Sequence, residues 1–161
     1  TMRKTAIRLT KGCHNLREKV LVIHDFVAKH LYYDFDSLLS TESTNRTIEQ
    51  IVHTRRCVCQ GFADLTLLLL KSIGIQAENI LCYAIQNIFE SGWSSAFNRT
   101  SELNHVITRA KLENRWLFMD VTWDSTNRFE NNVYIKGDWV SHRYFDVTLP
   151  FLSSTHRFFK K

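Results

Sequence analysis

A single proline and five glycines in 161 residues leave little to build linkers from. No low-complexity tract and no repeat of solenoid length breaks the chain. These absences argue against a disordered or modular polypeptide. They favour one domain over residues 1–161, long enough to bury a core without staples. Long apolar runs are also missing: the longest leucine run, Leu67 to Leu70, is far too short to cross a bilayer, so no membrane span is expected. The formal charge is +5, but the basic residues are scattered in short groups such as Arg55-Arg56 and Lys160-Lys161. Without a basic helix or stripe, nucleic acid is not an expected partner. No signal segment is visible, yet the chain opens Thr-Met, as a trimmed piece of a longer protein would, so the compartment stays open. Two glycosylation patterns, at Asn45 and Asn98, are short enough to arise by chance.

Cysteine is sparse, and its placement carries the most information. Of the four (Cys13, Cys57, Cys59 and Cys82), two sit one residue apart in TRRCVCQGFADLTLLLLKSIG, residues 54 to 74. A closed zinc site needs four Cys or His ligands in spaced pairs. Cys57 and Cys59, even with His53 nearby, have no second CxxC or HxxxH pair to work with. A redox pair needs Cys-x-x-Cys, and the spacing here is one residue too short. No calcium loop of the EF-hand type is present. Neither a metal nor an organic cofactor is expected.

What is present is a helix-then-sheet pattern. Val20, Ile23, Val27 and Leu31 recur at helical spacing within 15–31. A polar loop follows over 36–46, and Thr47 is placed to cap a short helix through Val52. From Gln60 to Ile73 the pattern predicts a helix ending at Gly74, with a narrow polar strip at Asp64, Thr66, Lys71 and Ser72. A helix apolar on most sides is central and buried. Ile80 to Ile85 reads as a strand, and 86–103 as a polar loop containing Trp93. Segments 105–111 and 115–123 read as a hairpin, and Tyr134, Ile135 and 139–149 as further edge strands. The expected class is α+β.

The helix start decides the cysteine chemistry. A thiolate at a helix N-terminus is favoured by the dipole and by free backbone N–H groups, which can also stabilise an oxyanion. Cys59 has this position, whereas Cys57 falls in the preceding loop. A cysteine nucleophile needs a base, and the base an orienting group. If Lys111 faces Trp116 across the turn at 112–115, then Ile107 faces Asp120 and His105 faces Thr122. His105 and Asp120 then share a sheet face as diagonal neighbours.

Val58-Cys59-Gln60-Gly61-Phe62-Ala63, Asn104-His105-Val106 and Asp120-Val121-Thr122-Trp123-Asp124 together resemble the transglutaminase-like superfamily, on the papain-like cysteine-protease fold. Residues 20–34, ending in Tyr33-Asp34, resemble the entry segment of its bacterial members, and the resemblance covers about residues 15–146. It implies a nucleophile at the N-terminus of a central helix packed on an antiparallel sheet, and a catalytic triad of Cys59, His105 and Asp120. There are departures: Cys57 stands where members commonly carry glycine, Ile107 replaces an aromatic, and Val121 replaces a proline.

The expected reaction is hydrolysis of an amide or peptide bond through a thioester, with a protein or peptide as substrate. Transfer to an amine, as in a transglutaminase, uses the same residues. A catalytically silent binding module on the same fold is the reading from a different class. Gln60 is a candidate oxyanion donor, and Trp93 and Trp123 are candidate walls of an acyl-donor groove, each weighed against a solvent-facing or core role. His142 and His156 read as structural or surface residues, and Cys13, Cys57 and Cys82 as free thiols. A bacterial cell surface or secretion is one setting the resemblance admits. Oligomeric state is not legible.

Overall fold

The computed structural model describes residues 1–38, 46–85 and 103–158. Trp93, Asn45 and Asn98 lie outside the described residues. The helix expected at 15–31 is α2, Leu16–His30, whose cap Asn15 accepts from the Glu18 N–H. Its buried face is Val20, Ile23, His24, Val27 and Ala28. Before it runs a helix the sequence did not suggest, α1, Met2–Thr10, capped by Thr1. Ala6 is its one buried residue, too little to produce a readable apolar stripe.

A short strand β1 (Tyr32–Asp34) leads into the single turn α3 (Phe35–Leu38), where a loop was expected from residue 36. Both the N–H and the hydroxyl of Ser37 bond to the buried Asp34 carboxylate. The polar residues that look like loop chemistry therefore close a helical turn. Helix α4 (Ile48–Thr54) is capped by Thr47 as anticipated, with Gln50 completing a reciprocal capping box. Strand β2 (Arg56–Cys57) then pairs parallel with β1.

Helix α5 (Cys59–Ser72) is the centre of the fold. Phe62, Leu65, Leu69 and Leu70 are fully buried, and α5 packs on α1, α2 and the sheet strands described next. Thr66, assigned to the polar strip, is in fact buried, its hydroxyl donating to the Phe62 carbonyl. That bond removes the cost of placing it inside. At the other end the Ile75 N–H reaches the Leu70 carbonyl at 3.1 Å. Gly74 takes φ +81°, a conformation that costs glycine least.

A five-stranded antiparallel sheet lies against α5, made of β3 (Ala77–Ala84), β4 (His105–Lys111), β5 (Trp116–Met119), β8 (Phe145–Val147) and β9 (His156–Arg157). Their order is β8–β5–β4–β3–β9. The hairpin register is the expected one, with Lys111 opposite Trp116. Strand β5, however, stops at Met119 instead of running to 123. Asp120 caps a single turn, α6 (Val121–Asp124), by accepting from the Trp123 N–H at 3.1 Å. His105 pairs with Cys82 of β3 on one side and, because β5 ends at Met119, has no strand partner at Thr122 on the other. The expected strand at 139–149 contracts to β8, because Thr148 and Pro150 start a further turn, α7 (Leu149–Leu152). A second sheet, β2–β1–β6–β7, contains β6 (Arg128–Glu130) and β7 (Val133–Ile135), with parallel pairs at β1. Among the described residues no helix is long and apolar enough to cross a membrane.

Candidate active site

Cys59 is the first residue of α5, after Val58 in an extended conformation. No side chain caps this helix, and the Gly61 N–H already donates to the Val58 carbonyl at 3.0 Å, so the N–H groups of Cys59 and Gln60 are the ones left for solvent or a ligand. Because α5 crosses β4 and β3, its N-terminus meets the first residue of β4, which is His105. Asn104 fixes that strand start through two bonds to the Ala84 backbone, 2.8 Å to its N–H and 3.1 Å to its carbonyl.

Asp120 is fully buried, and its Oδ2 accepts from His105 Nε2 at 2.6 Å. With Nε2 committed to the carboxylate, Nδ1 is the ring nitrogen left for Cys59. Burial pushes the imidazolium of His105 down. The charge and hydrogen bond of Asp120 outweigh this, the neighbouring Cys59 sulfur adds to them, and His105 stands at about 10. Asp120 shows the reciprocal effect: burial raises it, but the charge and hydrogen bond of His105, with a hydrogen bond from His156, hold it at about 2. An acid and a base whose environments stabilise opposite charges are what acyl-transfer chemistry needs.

The site opens into a cleft of about 470 Å³ lined by residues that include Cys59, His105, Tyr33, Phe35, Trp123 and Asn127. The Trp123 ring lies 5.7 Å from that of His105 and lines the same cleft. Gln60 is exposed, and its amide donates to Asp64 at 2.8 Å, along the helix and away from the cleft lining. Trp93 is outside the described residues.

Cys57 sits on β2 and is almost fully buried, its thiol pushed up to about 12 mainly by burial. Gly61, on the first turn of α5, is the reason it fits. A Cβ there would lie 2.5 Å from both Cβ and Sγ of Cys57. Cys57 therefore fills space against the first turn of α5.

Sequence reasoning missed one member of this cluster. His156 of β9 is fully buried, and its Nε2 lies 2.8 Å from the same Asp120 Oδ2. A second cluster ties α2 to α6: buried His24 bonds Asp124 at 2.7 Å and Asp25 at 2.8 Å, and Asp25 also meets His142 at 2.8 Å. Ligand-type atoms of His105, Asp120 and His156, and of His24, Asp25 and His142, lie within 4.8 Å of one another. In both groups the inward nitrogens are already engaged in hydrogen bonds with the shared carboxylate.

The chain matches the transglutaminase-like superfamily over residues 3–121 and belongs to it. Among curated proteins it is similar to the Kyphoscoliosis peptidase of Mus musculus, 25% identical over 73% of this chain and 17% of that one. The Homo sapiens Kyphoscoliosis peptidase is 25% identical over 89% of this chain and 21% of the relative. The chain thus spans about a fifth of the length of these relatives. Among solved structures, a candidate cysteine protease from Cytophaga hutchinsonii aligns at TM-score 0.56 and 22% identity, over 75% of this chain and 36% of that one. A structure described as a TGase aligns at TM-score 0.51 and 15% identity, over 75% and 30%. The fold is the transglutaminase-like, papain-like one.

Proposed function

We propose that this domain is a cysteine-dependent hydrolase that cleaves an amide or peptide bond through a thioester, with Cys59, His105 and Asp120 as its triad. The observation that carries this is the 2.6 Å bond from buried His105 to buried Asp120, beside a cysteine that opens a 14-residue helix.

In this mechanism the Cys59 thiolate attacks the carbonyl carbon, with protonated His105 as its counter-ion. A C–S bond forms, and the N–H groups of Cys59 and Gln60 at the start of α5 receive the oxyanion. His105 passes its proton to the departing amine, the C–N bond breaks, and the thioester remains. Water then gives a proton to His105 and attacks the thioester. The C–S bond breaks, releasing a carboxylic acid and restoring Cys59. Asp120 keeps the His105 ring in the orientation that aims Nδ1 at the sulfur. Trp123, and Trp93 by the sequence reading, wall the acyl-donor groove. A protein or peptide is the substrate.

The test is the pH dependence of Cys59 alkylation by iodoacetamide, in wild type and in His105→Ala. Alkylation that persists below the pH where an ordinary thiol ionises (about 8.5), and is lost in the variant, is the expected result. Ordinary thiol behaviour in both would sink the catalytic reading and leave a binding module on the same fold. With activity in hand, a glutamine peptide offered together with a fluorescent primary amine separates hydrolysis from transfer.

A further inference from the structure

We propose that His156 is a positioning residue of this site: from the C-terminal strand its Nε2–H holds the Asp120 carboxylate, and Asp120 in turn holds His105 against Cys59. The proposal rests on the cysteine-nucleophile reading above and adds a fourth member to it. The superfamily match ends at residue 121, so His156 comes from a segment beyond that match.

Its placement is built on both sides. Strand β9 pairs antiparallel with β3, setting His156 opposite Ala84, and the Ile85 N–H donates to the Thr155 carbonyl at 3.0 Å. The ring is fully buried, 4.6 Å from that of Trp123 and 5.7 Å from that of Tyr144. Its Nδ1 lies 2.8 Å from the Thr155 hydroxyl. An ionised carboxylate only accepts, so the Nε2 that lies 2.8 Å from Asp120 Oδ2 carries a proton and donates it. Asp120 then accepts three N–H groups, from His105, His156 and Trp123, so it cannot rotate without breaking at least one. His156 thus sets the direction of the Asp120–His105 bond. The titratable groups around this pair are Cys59 of α5, Cys82 of β3 and Tyr33 of β1, besides His156 itself.

The experiment is iodoacetamide labelling read at each cysteine by mass spectrometry across pH, for wild type, His156→Phe, His156→Gln, Thr155→Val and His105→Ala. Buried Cys57 and Cys82 report on folding. His156→Phe should slow Cys59 labelling at neutral pH roughly tenfold, the scale of one charge-assisted hydrogen bond. It should also move the alkaline pH at which labelling changes, while Cys57 and Cys82 stay protected. His156→Gln, which keeps an amide N–H near the same point, should recover most of the rate. A folded His156→Phe with the wild-type rate and pH profile, beside a slow His105→Ala, overturns the proposal and leaves the triad standing. Should His156→Phe expose Cys57 and Cys82, Thr155→Val decides: an altered profile supports the role, and an unchanged one refutes it. If His105→Ala itself labels like wild type, the nucleophile reading fails and the positioning role falls with it.

Discussion

Asp120→Asn puts the most pressure on the reasoning, because it keeps shape and removes one acceptor. The carboxylate takes His105 and His156 on Oδ2 and the Trp123 N–H on Oδ1. An amide has one oxygen, so either orientation sets its NH2 against a donor it cannot accept. With the NH2 toward the histidines, two outcomes are open to the ring: it loses the bond, or it moves its proton from Nε2 to Nδ1 and presents N–H to Cys59. In the second case it cannot take the thiol proton at all. The size of the effect follows from His105, held at about 10 against an ordinary 6.5, which corresponds to about 5 kcal/mol in favour of the imidazolium. Burial opposes this figure, so the favourable contributions together exceed it, and Asp120 provides the two largest. Losing the charge and the tautomer should reduce turnover roughly 10³–10⁴-fold. Neutral-pH labelling of Cys59 should fall in parallel. Nitrogen-15 spectra of the imidazoles report the ring state directly: both His105 nitrogens protonated in wild type at neutral pH, and in the variant a neutral ring with Nδ1–H or a mixture of tautomers. Turnover within threefold of wild type, with the protein folded, would refute the claim that Asp120 orients the base.

Two further outcomes follow from the same geometry. Because His105 is raised from 6.5 to about 10, its contribution to stability is full below 6.5 and is lost as pH rises through 10. Asp120 is lowered from 3.8 to about 2, so its contribution is full above 3.8 and is lost as pH falls through 2. Thermal denaturation across pH should therefore show Tm declining between neutrality and pH 10 in wild type and less so in His105→Ala; parallel curves would contradict the linkage. Gly61→Ala should cost about 1–3 kcal/mol by overpacking, since the new methyl carbon falls 2.5 Å from the Cys57 side chain. Cys57→Gly in the same chain should return part of that loss, a coupling that denaturant unfolding of the two single variants and the double variant measures. Additive losses would mean that Gly61 is needed for something other than the contact with Cys57.

Legibility tracked the range of the interaction. The helices at 15–31 and 60–73 were readable because each carries its burial pattern in its own residues: α2 hides Val20, Ile23 and Val27, and α5 hides Phe62, Leu65 and Leu69. Helix α1 was not, since only Ala6 is buried. The hairpin register was readable from the turn, and with it the meeting of His105 and Asp120. The route to that meeting was not. Strand parity places Asp120 in β5, whereas it is an N-cap, and the clue lay in Asp120-Val121-Thr122-Trp123. An aspartate three residues before a free N–H competes with strand pairing, so the chain turns at 120 and the carboxylate reaches back to the ring.

His156 shows why the rest was hidden. It lies 36 positions from Asp120 in sequence, on a two-residue strand too short for any period to register. Nothing local distinguishes it from exposed His142, whose partner Asp25 is 117 positions away. What brings His156 to Asp120 is the pairing of β9 with the end of β3, and that pairing is specified by main-chain bonds, which leave little trace in residue identity. Sequence motifs report residues that define a fold locally. A residue that reaches the same carboxylate through a sheet edge becomes visible only when the sheet is assembled.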